Sequence, residues 1–312
     1  MNNFSFASVN GLFKATSADA SVHSDVWCHF ERSNENSDAI RALGVAPNDT
    51  ESLLDETTRP HFYQINESSI LLFLRAINLN PDSDPEDMVS LRFWFDGSKL
   101  ITITNRDVQA VKKVNDHIQE QPDALPSARH ILLDIISQII LRIEKHVAKL
   151  SDKMEKLEEN NDIEQKVNQS ELHDLRRATS RLRRFMYPQL EALKKLAVTD
   201  LGWQDKKLKH SLKDFVGSMK YYNEEIALIN ERCEILSNEV SGKLTERVNR
   251  NLYIISIITV IFLPLSFVTG LLGINVGGIP AASSTNGFVY VSLIVFGLLL
   301  LQLLVLKLYR WF

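Results

Sequence analysis

A chain of 312 residues with 35 Lys and Arg against 39 Asp and Glu carries a net charge of -4, which excludes the basic balance of a general nucleic-acid binder. Hydrophobic residues make up 45% and charged ones 24%, so composition excludes a disordered chain. Two cysteines, Cys28 and Cys233, exclude a disulfide framework or a four-cysteine zinc site and read as reduced thiols of a cytosolic compartment.

Residues 1–126 read as a mixed α and β domain. Strands are predicted over 26–30, 62–65 and 70–77, where β-branched and aromatic residues cluster. Two further strands, 91–95 and 99–104, flank Asp96-Gly97-Ser98, a hairpin signal. The stretch 81–85 holds two prolines and two aspartates and reads as a loop, and 107–120 as a short helix ended by Pro122 and Pro126.

Residues 127–204 read as a cytoplasmic helical hairpin. Leu132, Ile136, Ile139, Ile143, Val147, Leu150, Met154 and Leu157 recur at steps of three and four, the mark of an amphipathic helix. A polar tip follows at 158–162, and a second helix returns through Leu175, Leu182 and Leu190, with a kink expected at Pro188.

A stalk helix is predicted over 205–251. Leu208, Leu212, Phe215, Met219, Tyr222, Ile226, Ile229, Cys233 and Leu236 alternate steps of four and three, as in a coiled-coil seam. Val240, Leu244, Val248 and Leu252 then step by four, a phase shift like a stutter. No proline follows until Pro264, so one rod of about 95 Å is expected from Leu208 to Gly270.

No Asp, Glu, Lys or Arg occurs between residues 251 and 306. That window reads as a two-span transmembrane hairpin, 252–306, with an external loop at 273–287 rich in glycine and a cytoplasmic tail at 307–312. Lys243, Arg247, Arg250, Lys307 and Arg310 flank the spans, and the loop is uncharged, so the positive-inside rule places both termini in the cytoplasm. Tyr309 and Trp311 suit an interfacial belt. The C-terminal position excludes a cleaved signal peptide.

Within the first span Asn249, Ser256, Thr259, Ser266 and Gly270 fall on one stripe, with Leu252 and Leu263 filling the gaps. Polar groups facing lipid are costly, so the stripe is expected to face water or protein. Tight packing through small residues is the alternative. A single such helix encloses nothing, so conduction requires a ring of copies, with second spans outside.

The two-span C-terminal hairpin, the long preceding helix and the Gly-x-Asn triplet Gly273-Ile274-Asn275 resemble the CorA-type divalent-cation transporters. The archetype carries Gly-Met-Asn followed by an acidic loop. Here Val276-Gly277-Gly278-Ile279-Pro280 follows without acids, which is similar to the zinc-transporting ZntB branch. The resemblance implies a CorA-like funnel: an α+β cytoplasmic domain, a long helical stalk and the transmembrane hairpin, assembled as a homopentamer in a bacterial-type inner membrane. It implies a Gly273, Ile274, Asn275 ring at the outer entrance and Asn249, Leu252, Ser256, Thr259, Leu263 and Ser266 along the pore. A ring of neutral amides at Asn275 would hold a divalent ion through its hydration water, since stripping that water is slow and expensive. Leu252 and Leu263 are candidate hydrophobic constrictions. The zinc branch also implies coupling to protons, yet no Asp, Glu or His lies between 251 and 306 to carry one.

The expected cargo is zinc, with a magnesium or cobalt channel of the same fold and a non-transporting membrane-anchored scaffold as alternatives. No cofactor, nucleic-acid partner or enzymatic activity is expected, since neither a Walker loop nor a nucleophile–base arrangement occurs. His23 and His29 lie near Cys28, but isolated histidines are the simpler reading than a zinc site. The arginines at 176, 177, 181, 183 and 184 are expected to pair with acids, and the acids of 152–164 to form a solvated face with Lys153 and Lys156.

Overall fold

The computed structural model describes residues 3–9, 12–15, 25–56, 59–162, 168–274 and 285–308. The chain divides into two compact units, Met1–Ser237 and Asn238–Phe312.

The first unit is built on a seven-stranded sheet in the order β2-β1-β3-β7-β6-β5-β4. Its strands are β1 (Phe4–Val9), β2 (Leu12–Ala15), β3 (Val26–Glu31), β4 (His61–Gln64), β5 (Ile70–Ala76), β6 (Val89–Phe95) and β7 (Lys99–Thr104). All neighbours pair antiparallel except β3 and β7, where Trp27 lies opposite Leu100 in a parallel ladder. A parallel pair needs a crossover, and the intervening chain supplies it. Strands β5, β6 and β7 are buried along almost their whole length, as strands covered on both faces must be.

One face is covered by α1 (Ser37–Ala42) and α2 (Pro47–Leu54), whose Ile40, Leu43 and Leu53 pack with Cys28, Phe73, Trp94 and Ile101. Proline at the first position of α2 costs no hydrogen bond, because that amide has no intrahelical partner. Helices α4 (Ala128–Asp162) and α5 (Gln169–Val198) also contact the sheet, and α3 (Gln109–Glu120) packs on α4. The α3 burial pattern, Ala110, Val111, Val114 and Ile118, is a single helical stripe. Every residue of the seam expected from Leu132 to Leu157 is buried in α4, which continues as helix through the polar stretch expected to be its tip. Helix α5 likewise runs through Pro188. The basic stretch on α5 reaches the 81–85 loop through Arg181 and Asp84 (2.7 Å).

Helix α6 (Lys206–Leu272) begins in this unit. Its seam residues Leu208, Leu212, Met219, Ile226, Ile229, Cys233 and Leu236 are buried, and Asn223 donates to the Met186 carbonyl of α5 (3.2 Å). Arg232 pairs with Glu158 of α4, and Cys233 Sγ lies 3.5 Å from Met154 Sδ. Burial pushes the Cys233 thiol up to about 11, so this cysteine is a packing residue. Residues 241–250 of α6 are exposed throughout.

The second unit holds the rest of α6 and α7 (Gly287–Leu308). Ile257 and Leu306 are the buried side chains among its described residues; the others are half-buried or exposed. Both helices are long and apolar enough to cross a membrane.

Candidate ion-conduction surface

The expected pore residues lie on α6, where Asn249, Leu252, Ser256, Thr259, Leu263 and Ser266 succeed one another at steps of three and four. That spacing puts them on one seam of a helix. All six are exposed; Leu252 is 57% and Leu263 68% open. The Ser256 hydroxyl donates to the Leu252 carbonyl (2.9 Å) and the Thr259 hydroxyl to the Ile255 carbonyl (2.9 Å). With its hydrogen spent inside the helix, each hydroxyl presents only oxygen lone pairs outward. At these two positions the seam is therefore acceptor in character, which suits the hydrogens of a cation's water shell.

Pro264 lies in the same helix and brings no amide hydrogen, so the Val260 carbonyl lacks its usual partner one turn later. Leu263, Pro264, Ser266 and Phe267 line a shallow hollow at this point. Thr269 donates to the Leu265 carbonyl (3.0 Å), and the Gly273 amide to the Thr269 carbonyl (3.0 Å), which closes the last turn. A Cβ at Gly273 would meet the Thr269 oxygen at 3.1 Å, so a larger residue would press on the helix end. Ile274 is 48% exposed. Asn275, the third member of the expected entrance ring, lies outside the described residues, as do Tyr309, Arg310 and Trp311.

No group of three or more His, Cys, Asp or Glu is placed to hold a metal among the described residues. His29 Nδ1 is 2.9 Å from the Thr102 hydroxyl and Nε2 is 3.4 Å from that of Thr104, so both ring nitrogens are engaged. Cys28, next in the strand, belongs to the core on the opposite face, and burial pushes its thiol up to about 12. The two do not converge on a ligand, and His23 lies outside the described residues.

Residues 24–310 match the model of the family described as CorA-like Mg2+ transporter protein. The chain belongs to this family. It is 34% identical over 290 residues to the divalent cation transporter CmaX of Pseudomonas aeruginosa, covering 92% of this chain and 87% of that protein. It is 27% identical over 306 residues to the zinc transport protein ZntB of Yersinia pseudotuberculosis, covering 96% of this chain and 93% of that protein. The structure of full-length CmaX superposes with a TM-score of 0.87 at 31% identity, covering 100% of this chain and 98% of that one. The fold is thus CorA-like, and the chain is a CorA-family divalent-cation transporter.

Two features of this CorA-family chain escaped the sequence reading. Gln302 is legible in the sequence as a polar exception in the second span, but the sequence does not show that its side-chain oxygen in α7 is shielded and finds no hydrogen-bond partner among the described residues, a costly state in a span. A lone amide in a leucine-rich run was its only signal. The second is the set of contacts around Trp203, which no local pattern announces.

Proposed function

We propose that this chain carries zinc through the central pore of a homopentamer in a bacterial inner membrane, with both termini cytoplasmic. The observation that carries the reading is the exposed polar row of Asn249, Ser256, Thr259 and Ser266, with Ser256 and Thr259 turned outward as acceptors, on a helix whose apolar stretch has no charged residue. Five copies of that row around an axis would give a hydrated path with oxygen lone pairs facing inward. Leu252 and Leu263 on the same seam would form apolar collars that open and close by wetting. Gly273 would let the chain turn near the axis, and Asn275 would accept hydrogen bonds from the ion's water at the outer mouth.

The loop after Asn275 has no acids to concentrate cations, so entry would depend on amide dipoles and the membrane potential. Zinc as cargo is supported by the acid-free loop and by the likeness to ZntB. Magnesium is the second reading, favoured by the family's own description. Asn275→Ala in reconstituted vesicles is expected to abolish zinc flux while the purified assembly keeps its mass; normal flux would remove the entrance ring. Competitive uptake of zinc, magnesium and cobalt, with and without an imposed pH gradient, decides the cargo and its coupling. Preference for magnesium would defeat the zinc reading, and absence of all flux would favour a scaffold.

A further inference from the structure

The segment joining α5 to α6 is tied to the sheet at several points, all through Trp203 and its neighbours. The Trp203 indole N–H donates to the Ser68 carbonyl (2.7 Å), and its ring meets Phe95 edge-on with centroids 4.7 Å apart. Gly97 lies beneath it: a Cβ there would come within 3.0 Å of Trp203 Cδ1, and the residue's φ of 101° independently calls for glycine. The Trp203 carbonyl accepts from Arg129 of α4 (3.3 Å), whose guanidinium is also 3.7 Å from Asp205. Asp205 in turn caps α6 by accepting the Leu208 amide (2.8 Å).

Both turns that Trp203 touches are internally braced. Asn66 Oδ1 accepts the amides of Ser68 and Ser69, and Asp96 Oδ1 accepts those of Ser98 and Lys99. Such side-chain-to-backbone bonds hold a turn in one shape. The indole is therefore wedged between two stiff turns at one end of the sheet, two residues before the α6 cap at Asp205. A slack connector would absorb a displacement of the sheet; a wedged one passes it to the first turn of α6.

We propose that Trp203 is a positioning residue for transport, pinning the start of α6 so that the state of the cytoplasmic sheet sets the helix that leads into the first span. The proposal rests on the transport reading above. Its test uses the full-length protein in vesicles and in detergent. Trp203→Ala removes both ring and donor; Trp203→Phe keeps a ring against Phe95 but loses the bond to Ser68. Two quantities are read: amide exchange over 206–212, and the initial rate of zinc flux as a function of the zinc concentration supplied. Trp203→Ala is expected to raise exchange there at least tenfold and to shift the zinc concentration giving half-maximal flux at least threefold, with Trp203→Phe between it and wild type. Faster exchange with an unchanged concentration dependence would reduce Trp203 to a structural contact and overturn the proposal, as would unchanged exchange. Absence of zinc, magnesium and cobalt flux alike in the wild type would instead sink the transport reading, and this proposal with it.

Discussion

Replacing His29 with glutamine should remove much of the protein's sensitivity to mild acid. His29 is fully buried in β3, between the hydroxyls of Thr102 and Thr104. Burial lowers its pKa from 6.5 to about 3, opposed by Asp107. The folded state therefore stays neutral while the unfolded chain takes up a proton. The sign follows: this contribution is fully present above 6.5 and is lost as pH falls toward the folded value. The slope is about 1.4 kcal/mol per pH unit, so moving from pH 8 to pH 5 removes about 2 kcal/mol from the wild type through this residue. Glutamine keeps a donor and an acceptor without a titrating group. It should cost about 1 kcal/mol at pH 8, through poorer hydrogen bonds, and leave the variant about 1 kcal/mol the more stable at pH 5. Urea unfolding of the solubilised chain, followed by tryptophan fluorescence at the two pH values, measures the difference. Trp27 donates to the same Thr102 hydroxyl (3.0 Å), so it reports on this locus. Every other titrating group is common to both proteins. Parallel stability losses in the two would refute the buried-neutral account of His29.

Two other perturbations have defined outcomes. Arg92→Met in β6 strips the bond from Nη1 to the Leu53 carbonyl (2.5 Å) and leaves that acceptor at the end of α2 without this donor; a loss of about 1–3 kcal/mol is expected in the same urea assay, and no loss would mean that water replaces the guanidinium. Val240→Pro lies within α6, just ahead of a stretch where exposed side chains offer little packing to compensate. It should cost about 3 kcal/mol of local helix stability, visible as faster amide exchange over 236–248, and should uncouple zinc flux from the cytoplasmic state. Wild-type exchange and regulation would count against a continuous helix there.

Much of this architecture is local in origin and was legible as pattern. The α4 and α6 seams need only steps of three and four among apolar residues, and most of the expected positions are buried, with Phe215 and Tyr222 half-buried. The hairpin between β6 and β7 announces itself through Asp96-Gly97-Ser98, and the structure places Gly97 at positive φ there. Strands β1 and β2 were missed because Phe4–Val9 and Leu12–Ala15 are short and lack clean alternation; they exist because β3 offers them an edge. Helices α1 and α2 were missed for the same reason: each is too short to show a period, and each is held by the apolar face of the sheet.

The sequence by itself determined that two uncharged spans follow a long helix, and that one stripe of the first span carries small polar groups. These are statements about which residues recur along a chain, and periodicity and charge suffice for them. Only the tertiary structure decided that His29 is locked between two threonines rather than free to bind metal, and that Trp203 reaches across from residue 203 to the turns at 68 and 97. Hydrogen-bond direction and long-range contact depend on where distant backbone comes to rest, and no local spacing encodes that.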